Sequence, residues 1–332
     1  MKFGVWYHLR NPQTWRKSPA DFYRETLDQI EKVEALGYDS IWVSEHHFTN
    51  DDYLPSSLLF LAAVAARTSR VRLGTSVLLL ALHHPLRVAE DAAVLDLISG
   101  GRLDLGIAAG YRVEEFEGFQ VPHKERGQRI EEAIQILQGA WKDESFSHWG
   151  RFFSFDNLTV TPKPIQPGGP PLWMGGQSRT AIRRAARLGC NLLPTSVGEA
   201  PMVAEYRAAL RDFGRDPSQY RVKCCQSLFC TPDPERSWSE LKVHFLYQHN
   251  LYRRWYKASG DSDASELDSA DALPRENYVV DTPDRCASAI RAVKEKLQAD
   301  EFVFWSGPPG YPIDKATSSL ELFAREVMPR FK

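Results

Sequence analysis

Eight times along this chain a short apolar run gives way to a loop and then to residues spaced as one face of a helix. Consecutive or alternating apolar positions mark strands, and repeats at i, i+3 and i+4 mark amphipathic helices. The strand-like runs fall at 3–7, 40–43, 70–80, 102–108, 172–175, 190–193, 222–230 and 301–305. A first helix is expected to open at Ser18-Pro19-Ala20-Asp21 and stop at Gly37. Others are expected at about 55–67, 85–98, 125–141, 178–188, 203–213, 238–256, from 282 onward and near 319–327. Strands separated by helices pair in parallel, because each crossover returns the chain to the same end of the sheet. Eight such units with no break in composition predict a single (β/α)₈ TIM barrel over residues 1–332. An open doubly wound sheet is the competitor, but no Gly-x-Gly-x-x-Gly follows the first run.

Two stretches interrupt the alternation. Residues 145–171 read as a surface hairpin with a stiff Pro-rich exit. Residues 232–280 hold an aromatic-rich helix and a polar, glycine-containing segment, and read as an insertion on the substrate side.

Composition excludes several classes of function. The 332 residues are 43% hydrophobic and 25% charged, ordinary for a soluble globular protein. Basic and acidic side chains nearly cancel, 41 against 43, so no global field grips nucleic acid or an anionic membrane. The five cysteines have no framework spacing, and the adjacent Cys224 and Cys225 point to opposite faces of a strand. Small buried hydrophobes in a reducing cytosol are expected, without disulfides or zinc. No apolar run approaches the length of a membrane span, and the chain enters its first strand without a signal core. A soluble, cytoplasmic protein is expected.

In a barrel the reactive groups collect where strands end and helices begin. That places His8, Glu45-His46-His47, Ser76 to Leu80, Ala109-Gly110-Tyr111, Gly175-Gly176-Gln177-Ser178 and Trp305-Ser306-Gly307 around one mouth. Two adjacent histidines raise three chemistries: a metal site, a nucleophile with its base, or an acid/base group. Neighbouring residues on a strand diverge, and no cysteine or carboxylate completes a recognisable ligand spacing with His46, His47, His83 or His84. No Gly-x-Ser-x-Gly elbow is present. A histidine at the mouth suits general acid/base work near neutral pH, with structural hydrogen bonding expected for His47, His83 and His84. The Gly175-Gly176-Gln177-Ser178-Arg179-Thr180 turn reads as an anion cradle, its glycines admitting a ligand to the backbone and its helix dipole favouring negative charge. A tight strand-to-helix turn with an N-cap describes the same residues.

The run Leu36-Gly37-Tyr38-Asp39-Ser40-Ile41-Trp42-Val43-Ser44-Glu45-His46-His47-Phe48 resembles the signature of the bacterial luciferase-like flavin monooxygenases. So do Leu73-Gly74-Thr75-Ser76-Val77, His84-Pro85-Leu86-Arg87-Val88-Ala89-Glu90-Asp91 and the stretch from Asp96 to Ile107. Pro162-Lys163-Pro164-Ile165-Gln166, the Gly175–Ser178 turn and the closing Leu322 to Pro329 complete an ordered match over nearly the whole chain, with residues 232–280 outside it.

The resemblance implies a barrel that binds reduced flavin or a deazaflavin at its strand ends, with His46 as the acid/base residue. It implies that Gly175, Gly176, Gln177 and Ser178 hold the flavin phosphate, with Arg179 beside them. Ser76, Val77, Gly110 and Tyr111 then line the cofactor, with a cis peptide between Ser76 and Val77. One departure stands out: bacterial luciferase has an arginine where this chain has Ala109, leaving Arg112 or Arg179 as substitutes. With reduced FMN the chemistry is oxygen activation towards a small aldehyde-like or apolar substrate, and a flavin reductase supplies the reduced cofactor. With a deazaflavin it is hydride transfer without oxygen. A non-catalytic flavin-binding barrel is the third possibility. The same resemblance implies a homodimer paired through the early helices.

Overall fold

A computed structural model describes residues 1–194 and 197–332. Strands β1 (Lys2–Tyr7), β2 (Ser40–Val43), β3 (Arg72–Thr75) and β4 (Leu103–Ile107) alternate with helices α1 (Pro19–Ala35), α2 (Ser57–Arg67) and α3 (Pro85–Ser99). A short α4 (Val113–Gly118) and long α5 (Arg126–Lys142) follow, then the antiparallel hairpin β5 (Phe146–Trp149) and β6 (Ser154–Leu158). The alternation resumes with β7 (Leu172–Gly175), α6 (Arg179–Leu188), β8 (Asn191–Leu193), α7 (Ala200–Asp212) and β9 (Lys223–Gln226). An excursion through β10 (Leu228–Cys230), α8 (Pro234–Ala258) and β11 (Val279–Asp281) precedes α9 (Pro283–Leu297), β12 (Glu301–Trp305) and α10 (Ile313–Glu326).

Eight strands pair in the order β8-β7-β4-β3-β2-β1-β12-β9, every pairing parallel. A bridge between Leu192 and Val222, with the Leu192 N–H donating to the Arg221 carbonyl at 3.1 Å, brings the two outer strands together. This is the expected (β/α)₈ barrel, its β8–β9 seam thinner than the other pairings.

Strand alternation divides each strand between two cores. Val5, Ile41, Val43, Leu73, Leu105 and Phe302 face outward into the helix layer. Trp42, Trp173, Leu193, Cys225 and Val303 fill the barrel axis. Two indoles in so narrow an interior need room, and Gly74 provides it: a Cβ there would overlap the Trp42 ring. Towards the N-terminal end the axis turns polar. Trp42 Nε1 donates to Ser40 Oγ at 2.7 Å and to Glu301 Oε1 at 3.1 Å, and Trp173 Nε1 donates to Asp104 Oδ1 at 3.0 Å. All five cysteines are buried and free.

The structure redraws several elements. The third strand stops at Thr75, short of the expected 80, and the Ser76–Val77 peptide is cis. Beyond it Leu78 bridges to Ile107 of β4, while Leu79, Ala81 and Leu82 pack with Phe116 of α4 in a cluster of their own. The expected seventh strand, 222–230, divides into β9 within the barrel and β10 outside it, where β10 pairs with β11. The helix of the 232–280 region spans Pro234–Ala258, longer than its aromatic run, because Asp233 caps it and Pro234 occupies its first turn.

Candidate active site

The C-terminal end of β2 delivers Glu45, His46 and His47 to the mouth, and α4 closes over them with a carboxylate. Glu115 is wholly buried, and its Oε1 takes His46 Nδ1 at 2.8 Å, the His47 backbone N–H at 2.9 Å and an Arg112 guanidinium N–H at 3.1 Å. Burial alone would raise the Glu115 pKa, but the bonds from His46 and His47 and the Arg112 charge hold it below the ordinary value. An ionised carboxylate only accepts, so His46 carries its proton on Nδ1 and presents Nε2 as the free base. Burial pushes the His46 pKa below 6.5; Glu115 works against that, while Arg112 and Arg10 reinforce it. The imidazole is neutral at pH 7.

Glu45 and His47 belong to a different network. Glu45 Oε1 accepts from His83 Nε2 at 2.8 Å, from the Leu79 N–H at 3.2 Å and from His47 Nε2 at 3.3 Å, and Oε2 accepts from Ser57 at 2.8 Å. Burial opposes the Glu45 charge, yet its bonds to His47 and His83 hold the pKa at about 2. Glu45, His47 and His83 bring three ligand-type atoms within 4.8 Å of one another. This is the carboxylate that linear spacing did not place with the histidines. The trio ties the loops after β2 and β3 together through its own hydrogen bonds, His47 among them.

Aromatic side chains roof His46. Tyr53 and Trp255 stand at ring-centroid distances of 4.9 Å, Tyr111 at 5.9 Å and Tyr252 at 6.5 Å. Arg112 lies over the Trp255 ring at 4.3 Å. The α8 aromatics divide along the helix. Trp238 and Phe245 pack with Tyr278 in a satellite core, whereas Tyr252 and Trp255 cover the mouth. A cleft of about 380 Å³ opens between residues 48–51 and α8, walled by Asp51, Arg112, Tyr247 and Trp255 among others. It reaches the outer side of the roof, not His46 itself.

The other expected cofactor residues form a second group. Val77 packs on the axis cluster beside Gly175, and the Ser76 N–H donates to the Val43 carbonyl at 2.6 Å. Gly110 has a φ of 82° and Tyr111 a buried hydroxyl without a partner. Gly176 has a φ of 141°, and a Cβ there would stand 2.9 Å from that of Ala181. Ser178 caps α6 by accepting from the Ala181 N–H at 3.2 Å. Gln177 Nε2 donates to Glu199 at 3.2 Å. Arg179 turns away: its Nε binds Glu205 at 2.6 Å and its side chain is 79% exposed. Arg112 is committed as well, to Glu115 and to the His47 carbonyl at 2.8 Å. Neither arginine offers a free charge in place of the one missing at Ala109.

Comparison with known proteins adds the family. The luciferase-like monooxygenase family model matches residues 1–301. The chain belongs to that family. It is 27% identical, across all of its length and 96% of the relative's, to the oxygenase component of a flavin-dependent trigonelline monooxygenase of Acinetobacter baylyi. It is 28% identical to an F420-dependent glucose-6-phosphate dehydrogenase of Segniliparus rotundus, over 93% of this chain and 94% of that one. The crystal structure of monooxygenase RslO1 from Streptomyces bottropensis superposes with a TM-score of 0.86 at 25% identity, covering both chains fully. This luciferase-like protein thus belongs to a family of flavin-dependent monooxygenases and oxidoreductases. Among the described residues no helix is long and apolar enough to cross a membrane.

Proposed function

We propose that this luciferase-like protein is the oxygenase of a two-component system, using reduced FMN and oxygen on a small apolar or aldehyde-like substrate. The observation that carries the reading is His46: a neutral imidazole with Nδ1 fixed by Glu115 and Nε2 open beneath an aromatic roof. A barrel that merely stored flavin would have no use for a base held in one tautomer.

The residues present fit FMN. The Gly176 backbone conformation and the Ala181 contact exclude a side chain where α6 begins, which lets a phosphate approach the backbone. The α6 arginines are paired with acids, Arg179 with Glu205, Arg183 with Asp212, Arg184 and Arg187 with Glu131. Phosphate binding therefore rests on the Gly175–Ser178 turn and on the helix dipole. Bound in reduced form, the flavin supplies the electrons that activate oxygen. The chain's own part is to seat it, to exclude water with Tyr53, Tyr252 and Trp255, and to move a proton at His46 Nε2. A separate flavin reductase delivers the cofactor, in keeping with a relative named as an oxygenase component. Five buried thiols suit a reducing cytoplasm.

The oxygen step gives the test. Reduced FMN mixed with the protein and then with oxygen should release hydrogen peroxide several-fold more slowly than free reduced FMN. Identical release, together with tight binding of a deazaflavin, would assign the site to hydride transfer instead.

The pH profile follows from the imidazole. Turnover should fall as pH drops through a value below 6.5, where Nε2 gains a proton. Glu115 raises the His46 pKa, so Glu115→Gln should move that acid limb to lower pH and cut maximal turnover about tenfold through the freed tautomer. A limb that moves upward would contradict the assignment.

A homodimer is part of the proposal. The packed helices α2 and α3 leave Leu59 75%, Val94 43% and Ile98 53% exposed, apolar area that a second copy would cover. Sedimentation should give twice the chain mass, and Leu59→Glu with Ile98→Glu should halve it. A wild-type monomer at all concentrations would refute the pairing.

A further inference from the structure

Arg10, just beyond β1, is 1% exposed, yet neither of its terminal nitrogens has a hydrogen-bond partner. Its Nε donates to Asp51 Oδ2 at 2.6 Å, and Asp51 also accepts from the Tyr247 hydroxyl at 3.0 Å. The guanidinium carbon lies 5.2 Å from the Tyr53 ring, 5.3 Å from Tyr247 and 5.7 Å from both Tyr252 and Trp255. Three of those rings, Tyr53, Tyr252 and Trp255, are also the walls around His46.

From this geometry we infer that Arg10 is the anchor for the carboxylate of a flat, aromatic substrate. A buried guanidinium with both NH₂ groups idle bears a desolvation cost that the Asp51 pair and the four rings offset only in part. Asp51 holds the Nε edge and balances the charge. The opposite edge keeps the planar fork that matches two carboxylate oxygens. Water excluded by four rings strengthens that pairing, and the same rings stack on a flat body extending towards His46. The flat body then lies under the α8 roof, along the Tyr53, Tyr252 and Trp255 rings that Arg10 and His46 share. The inference rests on the reading of this mouth as the reaction site, and it adds the substrate class.

Calorimetric titration of the full-length protein with benzoate and with benzamide tests it, without turnover and both with and without FMN. Benzoate should bind at least tenfold more tightly than benzamide, whose NH₂ group faces the guanidinium. Arg10→Lys, which keeps the charge beside Asp51 but loses the fork, should abolish most of that preference. The double variant Arg10→Met, Asp51→Asn removes both buried charges together and should abolish it too, with folding checked by circular dichroism. Equal binding of the two ligands, a preference that survives in both variants, or benzoate binding that FMN displaces would overturn the inference. Intact FMN binding with no carboxylate preference would sink this inference alone, whereas absent FMN binding would sink the functional reading beneath it.

Discussion

His46→Ala is expected to leave the fold and FMN affinity nearly unchanged while lowering turnover by about 10²- to 10⁴-fold, the usual share of an acid/base group. The fold should survive because Glu115 keeps two other donors, the His47 N–H and Arg112, when the imidazole is removed. His47→Ala should show the reverse profile. Its ring is tied into the Glu45–His83 network, so the loss falls on stability, by about 1–3 kcal/mol for a broken buried hydrogen bond. Thermal melts and oxygen-dependent turnover of both variants separate the two roles. If His47→Ala is the more damaging to turnover with folding preserved, the two histidines have been assigned the wrong way round.

Gly176→Val should act on binding. The branched side chain would meet Ala181, and a φ of 141° is one that valine does not adopt. Losing two charge-assisted hydrogen bonds at about 1.5 kcal/mol each corresponds to a fall in FMN affinity on the order of 100-fold. Riboflavin, which lacks the phosphate, should bind mutant and wild type almost equally. Arg179→Ala should change FMN affinity little, since Glu205 already holds that side chain on the surface. Equal loss of FMN and riboflavin in Gly176→Val would mean that the turn supports the fold and not the phosphate.

The barrel was legible because its evidence is periodic: a strand buried on both faces reads as a continuous apolar run, and β2, β7 and β12 lie where the pattern placed them. The pattern carried the third strand on to residue 80, past its end at Thr75, where burial is just as deep but Leu79 belongs to a loop packed under α4. It passed over α4 itself, six residues too short to show a helical period, and with it Glu115. That carboxylate meets His46 across 69 positions of sequence. Arg10 was invisible for the same reason: it follows a strand as an ordinary surface cation would, and its cage is assembled from Tyr53 and from α8 far along the chain. Glycines and a cap announce the Gly175–Ser178 turn locally, whereas partners of buried charges emerge only once the chain has closed.

The central claim is that this mouth takes a reduced flavin mononucleotide. An anaerobic titration of the purified protein with reduced FMN and, separately, with a reduced deazaflavin tests it most directly, followed through the fluorescence of the tryptophans beside the site. The account predicts saturable quenching by reduced FMN at micromolar concentration and at least tenfold weaker binding of the deazaflavin. Tight deazaflavin binding with no response to reduced FMN would contradict it.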